Sequence, residues 1–376
     1  MKVSIIGAGP VGSYAAALLA KRGFDVTVYE EHGVIGRPIQ CTGLMTLTLK
    51  EILKPSPEYV TNVTHGIELI APNGTKLLLR AKEYIVARDR YDQYLADRAR
   101  DAGAALLLNH RFLGRQDGAL LVKDAKDQRI RRITSDVLIG ADGANSTVAR
   151  LLNPARQRRY CVGIQARVRG AFDPDRYTVY FDNAISPGFF AWIVPESEAT
   201  ARVGLKGTGT NFTAFIRKHG FAQIEMQAGP IPVYDPQYTT EQAAAYLVGD
   251  AATQVKATTA GGIIPGMKAA ECLAEALAHG ESYEKRWKRR IGRDLWLHLR
   301  LRQLLDRFSN QDWNRLIMLL GQPRLRRLLE RHDREKPFRL LAALLYEPRL
   351  LAFAGRFFSK SESAALHAQG EHPPHH

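Results

Sequence analysis

The chain has 376 residues, 45% of them hydrophobic, enough to bury a large core in two globular parts plus an appendage. No run approaches the roughly 18 uninterrupted apolar residues of a membrane-spanning helix, and Met1 leads almost directly into an apolar strand, so the expectation is a cytoplasmic protein, soluble or peripheral on the cytoplasmic face of a membrane. A formal charge of +15 without a recognised DNA- or RNA-binding motif argues against nucleic acid as a partner. Cys41, Cys161 and Cys272 lack the paired spacings of zinc or dithiol sites, so no metal is expected.

Residues 2–7 predict an apolar strand, residues 13–22 a helix rich in alanine and leucine, and residues 24–29 a second strand. That alternation indicates a parallel sheet covered by helices, an α/β Rossmann-like domain. Residues 33–48 are loop-like, and residues 67–80 predict a hairpin turning at Asn73-Gly74. A helix is expected over 90–101, and a short buried strand over 136–139 leads into the acidic glycine turn at 140–146. From about residue 160 the texture becomes alternating strands, an antiparallel sheet with one solvated face, before residues 247–252 return to parallel-sheet texture. A glycine-rich turn and a helix over 267–278 follow.

The expected organisation is therefore a discontinuous cofactor domain of residues 1–160 and 240–285, with the hairpin near 67–80. A second α+β domain with an antiparallel sheet spans 161–239, a basic helical region 286–365, and a disordered tail 366–376.

Gly7, Gly9 and Gly12 form G-x-G-x-x-G between the first strand and helix. In that context the first glycine makes the turn, the second admits a pyrophosphate to bare backbone, and the third lets helix and strand pack closely. Glu30 ends the second strand, where a carboxylate can accept both hydroxyls of an adenosine ribose. The acidic turns at Asp142 and Asp250 and the backbone at Gly261 and Gly262 add separated elements. These suit the extended FAD molecule better than NAD.

These elements, with Arg88-x-x-Tyr91-Asp92 ahead of a helix, resemble the p-hydroxybenzoate hydroxylase-type FAD-binding superfamily. Two segments resemble a narrower group, the geranylgeranyl reductases: the 38–44 loop carrying Cys41 and Gly43, and the long 249–263 run. A third, 190–195, is similar to that family's aromatic motif shaping a lipid cavity, with Phe190 and Val194 in place of its usual tyrosine and phenylalanine. The resemblance implies FAD contacts at Gly7, Gly9, Gly12, Glu30, Arg37, Gly43, Arg88, Asp142, Gly143, Asp250, Gly261, Gly262 and Ile263, and substrate contacts at Phe190, Trp192 and Pro195.

The resemblance further implies reduction of carbon-carbon double bonds in geranylgeranyl chains of prenylated lipids by hydride from reduced flavin plus protonation. Cys41 is the candidate proton donor or substrate positioner; a small buried filler is the other reading. Without a second glycine fingerprint, electrons come from transiently bound NADPH or from a reduced ferredoxin. An aromatic or polyketide monooxygenase, or a membrane-associated flavin-binding protein without turnover, are the alternatives on the same scaffold. Nine basic residues face two acids between Lys285 and Arg307, interleaved with Trp287, Trp296 and leucines. This reads either as a basic amphipathic helix for an anionic membrane or as a solvated helix packed on its own domain. A monomer is the default expectation.

Overall fold

The computed structural model describes residues 1–331, 335, 348–351 and 353. Two compact units emerge: one of Met1–Val63, Glu83–Val162 and Gln227–Leu299, the other of Thr64–Lys82, Gly163–Met226 and the described residues from Arg300 onward.

In the first unit Lys2–Ile6 lies between Val137–Gly140 and Asp25–Glu30, with Ala245–Leu247 and Ala105–Leu108 flanking them, all parallel. Side chains alternate across this sheet. Val3, Ile5, Val26, Val28, Val137 and Ile139 enter one core, and Ile6, Tyr29, Leu138 and Leu247 enter the other. Both faces are covered, which is why the strands read as nearly continuous apolar runs. The helix Pro10–Ala20 starts with Pro10 in its first turn, where a missing N–H costs nothing. Its buried Ala15, Ala16 and Ala17 allow Arg88–Asp101 and Ile263–His279 to pack against it. A meander of His110–Gln116, Ala119–Asp124 and Ile130–Ile133 contributes Phe112, Leu120 and Val122 to the opposite face. That meander was not among the expected elements.

The second unit has a mixed sheet. Tyr160–Arg169, Thr200–Lys206, Ala191–Pro195 and Arg176–Tyr180 join antiparallel, as their alternation suggests, but Arg176–Tyr180 continues in parallel onto Val60–Ile70. The hairpin expected within the cofactor domain thus groups with this sheet. Gly66 to Ile70 pair with Arg176 to Tyr180, and Leu77 and Leu79 pack on Ile317. Asn73-Gly74 does form the turn, with Gly74 at φ +84° and its N–H on the Ala71 carbonyl at 2.9 Å. An unforeseen helix, Gly209–Lys218, is capped by Thr208 and buries Phe212 and Phe215.

Two other segments group differently from the expected boundaries. Residues 227–239 belong with the first unit, held by Val233 N–H to the Arg159 carbonyl at 2.9 Å and by Arg156 to Asp235 at 2.5 Å. Residues 286–299 do as well. Trp287 is buried and donates to Thr240 Oγ1 at 2.9 Å, while Leu295 and Leu299 join the first core. The basic region is helical where it is described: Tyr283–Trp287, a π turn at Lys288–Gly292, then Arg293–Leu305, Asn310–Leu320 and Pro323–Arg331. The expected tail at 366–376 lies outside the described residues, as does most of 332–365.

Candidate cofactor site

The glycine loop leaves Lys2–Ile6 at the point where neighbouring strands lie on opposite sides, so a crevice opens outside the carboxyl ends of the sheet. Gly7 and Gly12 are there because nothing larger fits. A Cβ on Gly12 would stand 2.0 Å from the Gly7 carbonyl oxygen, and one on Gly7, at φ +100°, 2.5 Å from the Ala141 carbonyl oxygen. Gly9 differs: a Cβ there would meet no protein atom within 4 Å. The space over Gly9 is the side of the loop open to a ligand. First-turn amides of the helix it caps lack intrahelical partners, the arrangement that suits an anion.

Glu30 ends the adjacent strand and is tied to this loop, accepting the Ala8 N–H at 2.8 Å and the His32 N–H at 2.9 Å. The His32 ring also meets the carboxylate, Nδ1 lying 2.6 Å from Oε1, and Oε2 keeps a lone pair beyond the one that takes the Ala8 N–H. The turn after the strand on the other side carries Asp142, whose carboxylate is committed to capping the helix Thr147–Leu152. It accepts from Ser146 Oγ at 2.5 Å and from the Thr147 and Val148 N–H groups at 2.7 and 3.2 Å. Burial raises its pKa, against the pull of those hydrogen bonds. Asp142 thus shapes the turn beneath Gly7, while Gly143, at φ +71° with open space above it, presents bare backbone.

Asp250 lies in the turn Gly249–Ala252 that follows the next strand. Burial away from water raises its pKa, while Arg88 and Arg158 draw it down. Gly262 lets the Asp250 carboxylate come close, since a Cβ there would fall 2.3 Å from Asp250 Oδ1 and push the side chain aside. Gly262 also caps the helix Ile263–His279, so Gly261, Gly262 and Ile263 set the positive end of a 17-residue helix beside that carboxyl group. Lys256 closes the loop, bonding through its N–H to the Gly261 carbonyl at 3.1 Å.

Cys41 and Gly43 come from the loop before Leu44–Thr46. The Gly43 N–H contacts Cys41 Sγ at 3.4 Å, and the Gly43 carbonyl accepts from Val86 N–H at 2.9 Å. Arg88 grips Asp92 with Nε and Nη2 at 3.0 and 2.9 Å and also bonds the Cys41 thiol. Burial works against the guanidinium charge, yet Asp92 and Cys41 raise its pKa further. A permanent cation is thereby fixed against the thiol. Arg37 sits farther out, half exposed and paired with Asp89 at 2.7 Å.

One residue no motif announced is Arg158, inside a basic run after the acidic turn. It donates to Tyr238 Oη at 2.8 Å, to the Ala144 carbonyl at 2.6 Å and to the Ala251 carbonyl, clamping two strand-end turns together. Gln254 adds a second tie, accepting the Gly249 N–H at 2.8 Å and donating to Tyr283 Oη at 2.9 Å.

Phe190, Trp192 and Pro195 belong to the second unit. Phe190 and Trp192 point away from the core that takes Ala191 and Ile193, their rings 6.0 Å apart and edge on, while Phe190 stacks on Phe189 at 4.2 Å. Trp192 lies opposite Gly204 in register. Pro195 is buried at the strand end.

A glycine loop at a sheet switch point, a carboxylate ending the adjacent strand and a second helix start together make up a Rossmann-like dinucleotide-binding fold. Residues 5–41 match the NAD(P)-binding Rossmann-like domain family. The digeranylgeranylglycerophospholipid reductase of Methanothrix thermoacetophila is 32% identical over 84% of this chain and 90% of its own length. That of Methanocaldococcus jannaschii is 30% identical over 85% and 90%. The chain belongs to this reductase family.

The fold matches a geranylgeranyl bacteriochlorophyll reductase-like protein from Thermoplasma acidophilum, with a TM-score of 0.82, 23% identity and coverage of 93% and 97%. It also matches p-nitrophenol 4-monooxygenase from Pseudomonas putida, with a TM-score of 0.69, 15% identity and coverage of 90% and 97%. Both likenesses speak for the fold alone.

Proposed function

We propose that this chain is an FAD-dependent reductase saturating the carbon-carbon double bonds of geranylgeranyl chains in prenyl lipids of the digeranylgeranylglycerophospholipid type. The observation carrying the reading is the convergence in the first unit of the open cradle over Gly9, the Glu30 carboxylate, the Asp250 carboxyl group and the helix start at Gly262. That convergence suits one long dinucleotide: Gly7, Gly9 and Gly12 for its pyrophosphate, Glu30 for ribose, Asp250 for polyol hydroxyls, and Gly261, Gly262 and Ile263 for its ring. Arg37, Gly43, Arg88 and Gly143 complete the proposed contacts. Bound and reduced, FAD supplies a hydride donor.

The chain's own contribution is placement and protons. An alkene carries no carbonyl to polarise, so a proton source has to stand ready where water is excluded. Cys41, held against the Arg88 cation, is the proposed donor or positioner. Phe190, Trp192 and Pro195 are the proposed contacts of the prenyl chain. Electrons are proposed to come from NADPH or a reduced ferredoxin, and the substrate lipid to be reached at an anionic membrane surface on the cytoplasmic side by a monomer. Among the described residues, no helix is long and apolar enough to cross a membrane.

The test is anaerobic incubation of the yellow, flavin-loaded protein with dithionite and digeranylgeranylglycerophospholipid, followed by mass spectrometry, each saturated bond adding two hydrogens. Mass gain supports the reading. No gain, or hydroxylated product formed only with oxygen, overturns it. Cys41→Ala is expected to keep the flavin spectrum and lower turnover by about 100-fold or more, the scale of a lost acid catalyst. Unchanged turnover removes Cys41 from the chemistry.

A further inference from the structure

On the outer side of the first unit, the helices Pro10–Ala20 and Ile263–His279 and the π turn Lys288–Gly292 enclose a groove of about 480 Å³. Arg22, Arg286, Arg289 and Arg290 line it, with Tyr14 and Cys272. Only two carboxylates share the lining, and both are occupied in aiming guanidinium groups. Glu275 accepts Arg22 at 2.6 Å and Arg286 at 3.2 Å, and Glu271 accepts Tyr14 Oη at 2.9 Å together with Arg290. Arg289 has no ion pair among the described residues. Arg286 also pairs with Glu281, outside the lining, so four arginines stand against three carboxylates and Arg289 is the ready donor.

The surface around it carries the same sign. Between residues 285 and 299 the exposed side chains are Lys285, Arg289, Arg290, Arg293 and Trp296, without one carboxylate. Trp296 is 47% exposed on a helix whose Leu295 and Leu299 are buried in the core. An exposed indole among cations is the composition that settles at a bilayer interface, where the ring sits at headgroup level and arginines meet phosphates. A solvated face that merely kept the protein soluble would mix both signs.

We propose that this groove is a socket for the phosphate of an anionic lipid headgroup, seating the first unit on a membrane through Arg289 with Arg22, Arg286 and Arg290. Guanidinium forks match phosphate oxygens in pairs, so one headgroup satisfies donors that the internal carboxylates leave over. The assignment rests on the reading of this chain as an enzyme of membrane lipids. Turnover of the unmodified protein on detergent-dispersed substrate tests that reading separately, because the experiment below measures only binding.

Flotation of the full flavin-loaded chain with vesicles of phosphatidylcholine, alone or mixed with phosphatidylglycerol, provides the test. Binding to the mixed vesicles only is expected. Arg289→Glu and Arg293→Glu make the same charge change on the same exposed face, but only the first touches the groove. Arg289→Glu is expected to weaken vesicle binding about tenfold more than Arg293→Glu, since a socket loses a directed phosphate contact and a diffuse surface does not. Equal losses would reduce the groove to general surface charge and overturn the socket. No binding to anionic vesicles overturns the membrane assignment, and so does equally tight binding of free glycerol 3-phosphate, which would assign the groove to a soluble phosphate.

Discussion

In the first unit the candidate site is made from side chains that are missing, whereas in the second the candidate substrate surface is made from side chains that are large. Gly7, Gly12 and Gly262 let backbone or a carboxylate stand where a Cβ would otherwise be, and Gly9 leaves that space open. Phe190 and Trp192 instead cover a sheet face with rings held by Phe189 and by the hollow at Gly204. A site built on backbone tolerates almost no growth where backbone closes on it, as at Gly7 and Gly12. A surface built on rings can exchange one apolar shape for another.

The sharpest break in that comparison comes at the glycine loop. Gly12→Ala forces a methyl group to within 2.0 Å of the Gly7 oxygen, so a loss of about 3 kcal/mol or more in stability is expected together with loss of flavin. Gly9→Ala is the informative partner. Its Cβ meets no protein atom, and its φ of −66° suits alanine. The melting temperature without cofactor should therefore hold, while FAD affinity measured by flavin fluorescence falls about 10- to 100-fold, roughly 1.4 to 2.7 kcal/mol. An unchanged affinity would mean that the cofactor does not lie over Gly9.

The same contrast explains how much was legible in the sequence. Backbone sites announce themselves, because glycines at fixed spacing between an apolar strand and an alanine-rich helix have few other uses; the parallel sheet followed from the strand-helix alternation around them, while the switch point needed the strand order. The position of Asp142 was also legible, but not that its carboxylate is spent on a helix cap, since that depends on where the Thr147 and Val148 amides point. Arg158 left no trace, being one arginine among several until the fold brings Ala144 and Ala251 to it. The grouping of Thr64–Lys82 was hidden for a related reason: its pairing partner, Arg176–Tyr180, lies more than a hundred residues away and gives no local signal. The helix Gly209–Lys218 did carry a readable cue in the Thr208 cap and the Phe212 and Phe215 spacing.

The ring-built surface should yield a smaller and more negotiable effect. A Cβ on Gly204 would come within 2.4 Å of the Trp192 ring and 2.7 Å of Gln165 Cβ, so Gly204→Ala is expected to cost about 1–3 kcal/mol by urea denaturation. In a Trp192→Leu background the shorter side chain leaves room on the ring side, while the Gln165 contact stays. The same change should then cost measurably less but not nothing, a coupling that a double-mutant cycle reads directly. Trp192 Nε1 is buried without a hydrogen-bond partner, so replacing the indole sacrifices no polar contact. Additive costs would show that Gly204 is needed for the strand and not for the ring.

The smallest expected effect concerns His219, also in the second unit. Its ring stacks on Phe221 at 5.3 Å and meets the edges of Phe215 and Tyr180 at 4.8 and 5.3 Å, with Nε2 buried and unpartnered. Burial, helped by Lys218, lowers its pKa below the usual 6.5. The unfolded chain therefore takes up the proton first as pH falls. The stability that the neutral ring contributes is complete above the unfolded value and is lost as pH drops through the lower folded one. Urea midpoints measured between about pH 8 and pH 5 should decline slightly through that window as the folded ring resists the proton. His219→Phe keeps the aromatic packing and removes the proton site, so this part of the slope should vanish. A slope that survives the substitution would place the titration elsewhere, in carboxylates whose pairing the aromatic cage does not touch.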